Sequence, residues 1–451
     1  MEPRELTLLD AATELHQGRL SAVELAVSCL EQIDALNPKL NAFIHLRAVE
    51  EVLADARKSD ERRRQGAAGT LEGVPIGLKA NYACAGLPAS AGSRILAHWR
   101  PRTDAATVTH LRQAGVVILG MTNMHEFADG PTNENPHFGR ALNPHDPSRT
   151  PGGSSGGSAV AVQADMCLAA TGTDDGGSIR IPASFCGVAG LKPTYGLVTV
   201  EGIVPFSPSL DHAGPLAGTP QDAQALLHGM LGLPETSEVS RRTIERGRRT
   251  VVGVERNYFG RYLTTGVGRA FEEALTTFNT MGFDVREVTL PSVEKACTAL
   301  LVILFSEAAA VHDDFLEDRL DEYSKDVRLS LLSGRLYRAV DYVNARTLQR
   351  RFRDELDGLF RDVDVLVTPT AVLEPPYWDT PLIRTDEGEV ELLETIIRCT
   401  APFDLSGHPA MSVPCGSGEK GLPVGLQLVG PMHSEALLTD IGQAFLAARS
   451  I

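Results

Sequence analysis

A chain of 451 residues with 43% hydrophobic content can bury a large core; its length admits two or three domains, although large α/β enzymes often form one. The formal charge of −16 and the pI near 5.2 argue against a nucleic-acid surface, which needs basic patches to meet phosphates. Seven cysteines, at positions 29, 84, 167, 186, 297, 399 and 415, show no C-x-x-C spacing, so they are read as reduced thiols of a cytoplasmic protein, neither a disulfide frame nor a zinc site. The opening MEPRELTLLD lacks the basic and apolar regions of a signal peptide, and the longest apolar run, 296–305, is too short to span a bilayer.

In chain order, residues 7–17 and 21–36 read as amphipathic helices, the second opened by a capping box of Ser21 and Glu24 and closed at Asn37-Pro38. A short strand, 41–46, precedes a charged helix to about residue 65, whose basic end, Arg62-Arg63-Arg64, suits a solvated last turn. Residues 74–82 form a strand that carries Lys79 among Ile76, Gly77, Leu78 and Ala80. Taken alone, that lysine reads as an edge residue with its ammonium in water, because lysines are seldom buried. A helix over 104–114 and a strand over 116–121 give the β–α–β alternation of a largely parallel sheet. The following turn-rich loop, 131–139, is a connector or a cavity wall. His125, His137 and His145 lack an H-x-x-x-H or H-E-x-x-H spacing, so no metal site is expected.

The stretch 150–192 organises the rest. It holds two glycine-rich serine turns, Gly152-Gly153-Ser154-Ser155-Gly156-Gly157-Ser158 and Gly176-Gly177-Ser178, separated by a small-residue helix at 155–163 and an apolar run at 166–171. Such a helix leads away by roughly 14 Å, and about five strand residues undo that displacement. The two turns can therefore meet, with bare N–H groups able to hold an oxyanion. A P-loop is disfavoured because no lysine follows Gly157. A G-x-S-x-G elbow is formally matched by 152–156, but the proline-rich 144–151 cannot be the buried strand it must follow. Structural turns would explain one such motif, less easily two.

Beyond Thr219 and Asp222, a helix-start pattern, strands are expected at 251–255 and 285–290 around a helix at 266–281. Residues 293–360 read as mostly helical, with the apolar positions of 327–336 and 352–360 in core or cavity wall, and His312-Asp313-Asp314 on a solvated face. A buried strand at 364–368 follows, then a loop at 400–412, with Phe403, Asp404 and His408, placed to close over a substrate. A core strand at 422–429 and a helix at 434–449 end the pattern. The fold class expected is α/β, a large twisted mixed sheet covered by helices.

GVPIGLK (73–79), GGSSGGS (152–158) and GTDDGGSIRIPASFCGVAGLKPTYG (172–196) resemble the amidase signature family of serine hydrolases; weaker similarity runs through SLDHAGPLAGT (209–219), SGHPAMSVPCG and GLPVGLQLVG, so most of the chain is covered. The resemblance implies one amidase domain over 1–451, with an N-terminal helical segment at 1–66, a signature core at 67–220 and a variable cavity region at 235–395. It makes Ser178 the nucleophile, Ser154 the bridge to Lys79 as base, and Ser155 a supporting partner, with a cis bond from Gly153 to Ser154. Burial would lower the lysine pKa far enough for it to act near neutrality. Backbone N–H groups of Asp175, Gly176, Gly177 and Ser178 are the implied oxyanion donors, and Met124, Thr132 and Asn133 (with Asn135 in the same loop) the implied substrate contacts. Asp174 and Arg180 are expected to brace the second turn, and His212 to be structural. No cofactor or metal is implied.

Two positions depart from the family: Ala80 then Asn81 where aspartate usually follows the lysine, and Asp175 where a neutral residue, often threonine, is common. A carboxylate aimed at the forming oxyanion would oppose catalysis, so the Asp175 side chain is expected to turn away, bonding locally or meeting a polar group of the substrate. The expected activity is hydrolysis of a linear amide, carbamate or urea-type C–N bond through an acyl-enzyme; residues 121–146 are reminiscent of bacterial amidases and biuret-type hydrolases. The alternative is the glutaminase component of a tRNA-dependent amidotransferase, its A chain, which passes ammonia to partner subunits. A non-enzymatic scaffold is opposed by the intact Lys79, Ser154 and Ser178. Expected partners are a small amide or carbamate, with no nucleic acid and no membrane; a homodimer is left open.

Overall fold

Runs of small and β-branched apolar residues build a sheet buried on both faces, the pattern that lets strands lie under helices on either side. A computed structural model of the protein describes residues 2–233, 249–385 and 387–449; residues 235–248 and 386 of the expected variable region lie outside these. The strands are β1 (Phe43–Leu46), β2 (Pro75–Lys79), β3 (Val117–Thr122), β4 (Ala169–Asp174), β5 (Ala189–Lys192), β6 (His212–Ala217), β7 (Val251–Val254), β8 (Asp284–Glu287), β9 (Val365–Pro369), β10 (Leu382–Thr385), β11 (Gly388–Glu391), β12 (Ala410–Ser417) and β13 (Pro423–Val429). Eleven of them form one sheet in the order β1-β3-β2-β4-β6-β5-β12-β13-β9-β7-β8, and β10 and β11 form a separate hairpin. β2 pairs in parallel with β3 and β4, and β7 with β8 and β9; the other pairings of the large sheet are antiparallel. The sheet is thus mixed, and parallel where the β–α–β alternation was read. Among the described residues no helix is long and apolar enough to cross a membrane, and all seven cysteines are free thiols.

The capping box of Ser21 and Glu24 opens the helix Ala22–Leu40, which continues past the expected stop at Pro38. A proline so near a helix end removes little of the ladder; Asn41, at φ 52°, closes the helix instead, while Asn37 Oδ1 accepts from the Phe43 N–H at 2.8 Å. The basic end of helix Val49–Arg64 is more than a solvated turn: Arg62 pairs with the buried Glu72 at 2.5 Å, and Arg63 meets Asp60 and the Leu15 carbonyl. His312 is buried against Phe127 and bonded to the Tyr323 hydroxyl at 2.9 Å, not set on a solvated face. In the stretch 327–336, Val327 and Leu331 are buried as expected, but Leu329 and Leu336 face solvent, the latter 82% exposed.

Residues 400–412 correct the expectation of a closing loop. They form the helix Ala401–Ser406 and the start of β12, with Phe403, Asp404 and His408 buried. The physical reason is Arg180, which no part of its side chain exposes to solvent. Its guanidinium meets Asp174 at 2.9 Å, Asp404 at 2.5 Å, Gln427 Oε1 at 2.7 Å and the Thr400 carbonyl at 3.0 Å, so the 400–406 segment is part of the core. Burial alone would raise Asp174, but the adjacent Arg180 charge overrides it and holds that carboxyl below its ordinary range. Removing one partner of a buried ion pair leaves an uncompensated charge. Arg180→Met is therefore expected to destabilise the protein by roughly 3–5 kcal/mol, read as a lowered thermal midpoint; an unchanged midpoint would contradict the bracing role.

Candidate active site

Parallel register brings the site together at the carboxyl ends of β2, β3 and β4, the place where open α/β sheets bind ligands. Lys79 is the last residue of β2, opposite Thr122 of β3, and Gly77 lies opposite Ala170 of β4. Because β2 lies between β3 and β4, Lys79 is not an edge residue but a fully buried one. Its Nζ lies 2.7 Å from Ser154 Oγ, 2.7 Å from Thr173 Oγ1 and 3.4 Å from the Thr173 carbonyl. Asn81 Nδ2 donates to the same Thr173 hydroxyl at 3.2 Å. Thr173 of β4 thus meets both the Lys79 amine and Asn81.

Both serine turns converge as the helix–strand arithmetic requires. The helix Gly156–Gln163 leads away from the first, β4 returns, and the Ser155 N–H donates to the Ser178 carbonyl at 3.1 Å. Ser155 Oγ also bonds the Thr173 backbone, donating to its carbonyl at 3.2 Å. The peptide bond from Gly153 to Ser154 is cis, and the His125 N–H donates to the Ser154 carbonyl at 3.1 Å. A Cβ on Gly153 would come within 2.6 Å of the Gly130 carbonyl oxygen, so this turn needs glycine for close approach.

In the second turn, Asp174 caps the chain that follows it: its carboxylate accepts from the Gly177 N–H at 2.6 Å and the Ile179 N–H at 3.0 Å. Of the four expected oxyanion donors, Gly177 is therefore occupied, whereas no acceptor among the described residues meets the N–H groups of Asp175, Gly176 or Ser178. Thr400 Oγ1 donates to the Gly176 carbonyl at 2.7 Å, fixing the peptide that joins Gly176 to Gly177. His212 is structural: it is buried at the start of β6, with Nδ1 3.1 Å from the Asp174 carbonyl.

Beside Ser178 lies a small cavity, partly open to solvent. Leu300, Leu304 and Phe305 from the helix Ala296–Val311, together with Ile397, give it an apolar wall; Asp129 and Asp175 also face it. Of the implied substrate contacts, none lines this cavity. Met124 is buried in the core, Asn133 turns under the first serine turn to accept from the Gly156 N–H at 3.1 Å, and Thr132 lines a neighbouring cleft with Tyr377 and Trp378. Positive φ angles at Phe127, Ala128 and Asn133 redirect the chain, so 128–131 reach the cavity instead. Sequence reading also passed over Thr173, Asn81 and Asp129 as site residues. The parallel register of β2 with β4 was the available signal for Thr173; nothing local marks Asp129.

Charges follow from burial. Burial pushes Lys79 down to about 7, against the upward pull of Asp175, Asp174 and Asp211. Asp175 is pushed well above the ordinary carboxyl range by burial and by Asp211, and burial raises Asp129 to about 7 and Asp211 to about 6. Lys192 is equally buried and also lowered to about 7, yet its Nζ meets the Pro193 carbonyl at 3.1 Å and, among the described residues, no serine. Burial makes an amine able to act near neutrality; position against Ser154 is what sets Lys79 apart.

A model of the Amidase family matches residues 24–439. The chain belongs to the amidase signature family. It is 38% identical to the A component of the glutamyl-tRNA(Gln) amidotransferase of Cupriavidus necator, over 98% of this chain and 96% of that protein. A solved amidase structure superposes with a TM-score of 0.92 at 36% identity, covering 98% of this chain and all of its own. A structure from a vestigial protein complex that bears on the evolutionary origins of an s-triazine catabolic enzyme gives 0.91 at 32% identity, with 99% of each chain covered. As a member of the amidase signature family the protein is a hydrolase of carbon–nitrogen bonds, and its mixed sheet under helices is the fold of the solved amidases.

The second serine turn allows little change. Gly177 has φ +135°, and a Cβ there would fall 2.3 Å from Thr400 Oγ1. Gly177→Ala is expected to cost roughly 1–3 kcal/mol of stability and to displace Thr400, seen as a lowered thermal midpoint and a shifted Thr400 in a crystal structure. A variant as stable as the parent would contradict this tight packing.

Proposed function

We propose that the protein hydrolyses linear amides through a seryl acyl-enzyme, with Ser178 as nucleophile, Ser154 as proton bridge and Lys79 as general base. The observation that carries this reading is the 2.7 Å contact between Lys79 Nζ and Ser154 Oγ inside a buried site. A neutral amine accepts the Ser154 hydroxyl proton, Ser154 in turn takes the Ser178 proton, and Ser178 Oγ attacks the amide carbonyl carbon. The C–N bond breaks as the leaving amine takes the proton back along the same relay; water then repeats the attack to free the acid. Negative charge on the tetrahedral oxygen is met by the N–H groups of Gly176 and Ser178, with Asp175 as a further donor, each such donor typically worth about 10²–10³ in rate. Carbamates and urea-type groups present the same carbonyl and fall within the same chemistry.

The second reading is a glutaminase subunit, favoured by the name that the 38% identical relative carries. Glutamine brings an α-carboxylate and an α-ammonium. The cavity beside Ser178 has two carboxyl groups facing it and no lysine or arginine among its lining residues, which leaves the α-carboxylate without a cation. The cavity therefore supports a stand-alone amidase on small, largely apolar amides more than a glutaminase.

Ser178→Ala and Lys79→Ala are each expected to lower kcat on the order of 10⁴-fold or more, as removal of a nucleophile or its base does elsewhere. A fluorophosphonate should label Ser178 in the parent chain, and ammonia or amine should be released by the isolated chain from simple amides. Label on another serine would overturn the assignment, and ammonia release from glutamine alone would favour the second reading. Because the base must be uncharged, kcat/KM should fall about ten-fold per pH unit below the Lys79 value of about 7. Activity still rising steeply beyond about pH 9, as an ordinary lysine would require, would contradict this reading.

A further inference from the structure

The carboxyl of Asp175 has no role in the relay just described. Asp175 is 6% exposed and lines the cavity beside Ser178, and no hydrogen-bond donor among the described residues meets its carboxyl. Asp129 lines the same cavity, its carboxyl bonded by Ser330 and its Oδ2 buried away from solvent. A buried polar group left unmet costs free energy that a ligand donor would recover. The remaining wall is apolar, with no cation lining it. Such a lining is poorly suited to an anionic substrate and well suited to one that is apolar apart from a single positive group.

Resting on the amidase reading above, we infer that Asp175, with Asp129 beside it on the cavity, is a specificity-determining residue that holds a protonated amine on the acyl part of the substrate. The acyl part belongs in this cavity because it stays bonded to Ser178 while the leaving amine departs and water enters. Leu300, Leu304 and Ile397 then receive the apolar body of the acyl group, and the substrate class is an amide of an amino acid with an aliphatic side chain.

The electrostatics of the relay favour the same pairing. An ionised Asp175 without a partner pulls Lys79 toward its protonated, inactive form, and it opposes a negative charge forming on the oxygen bound by its own turn. A substrate ammonium seated on Asp175 cancels both effects.

Leucinamide and 4-methylpentanamide, which differ by the α-amine alone, test this at about pH 7, where that amine is mostly protonated. The parent protein should show a kcat/KM for leucinamide about 10–100-fold above that for 4-methylpentanamide. In Asp175→Asn the ratio should collapse toward one, and Asp175→Thr provides the same test with the residue common in the family. A parent ratio at or below one, or a ratio unchanged in both variants, would overturn the inference. Protection of Ser178 from fluorophosphonate gives a readout that needs no turnover: leucinamide should slow labelling of the parent far more than 4-methylpentanamide does. Equal protection by both amides would refute this inference and leave the amidase reading intact. A Ser178 that resists the label altogether would sink both.

Discussion

The contact between Lys79 Nζ and Ser154 Oγ sets the conditions for everything around it. An ammonium is strongly hydrated, and burial at this depth favours the free amine. Keeping that amine uncharged in a chain with an excess of acids demands control over nearby carboxylates. Asp174 is disarmed by Arg180, which takes its charge into a buried cluster with Asp404 and Gln427. Asp175 and Asp211 are raised by burial instead, so that each binds a proton more readily than an exposed carboxyl would. The acid–base state of the lysine is thus a property of the whole group of charges, and the fold positions that group through three adjacent strand ends.

Arg180 links this electrostatic arrangement to the mechanical one. Through Asp174 it sets the cap that holds the Gly177 and Ile179 N–H groups, and through the Thr400 carbonyl it fixes the residue whose hydroxyl orients the Gly176 carbonyl. The same guanidinium draws the 400–406 segment into the core. The turn that carries Ser178 is therefore rigid, and the cavity in front of it takes its shape from the helix Ala296–Val311 and from residues 128–131.

Much of this was legible in the amino-acid sequence because it rests on local rules. Glycines flanking serines mark turns with bare N–H groups, an intervening helix and strand of matched displacement bring the turns together, and the resemblance to the amidase signature family picks out Lys79. The β–α–β alternation, read as a largely parallel sheet, holds for β2 with β3, whereas most pairings of the large sheet are antiparallel. What the sequence hid depends on long-range partners. The 400–412 stretch reads as a loop from its glycine and proline, and only Arg180, more than two hundred residues earlier, makes it core. The resemblance implies Met124, Thr132 and Asn133 as substrate contacts; with left-handed backbone at Phe127, Ala128 and Asn133, it is 128–131 that line the cavity beside Ser178. Thr173, which supports Lys79, could be placed only with the register of β2 against β4 in hand.

The central claim is that Lys79 titrates near neutrality while it touches Ser154, so that a large share of it is free amine at neutral pH. Its side-chain ¹⁵N resonance, followed by NMR through a pH titration of the intact protein and assigned by its loss in Lys79→Met, tests this directly. The expected midpoint lies near the value of about 7 that burial imposes. A midpoint close to the ordinary lysine value of about 10.4 would show a charged amine in the site and contradict that claim.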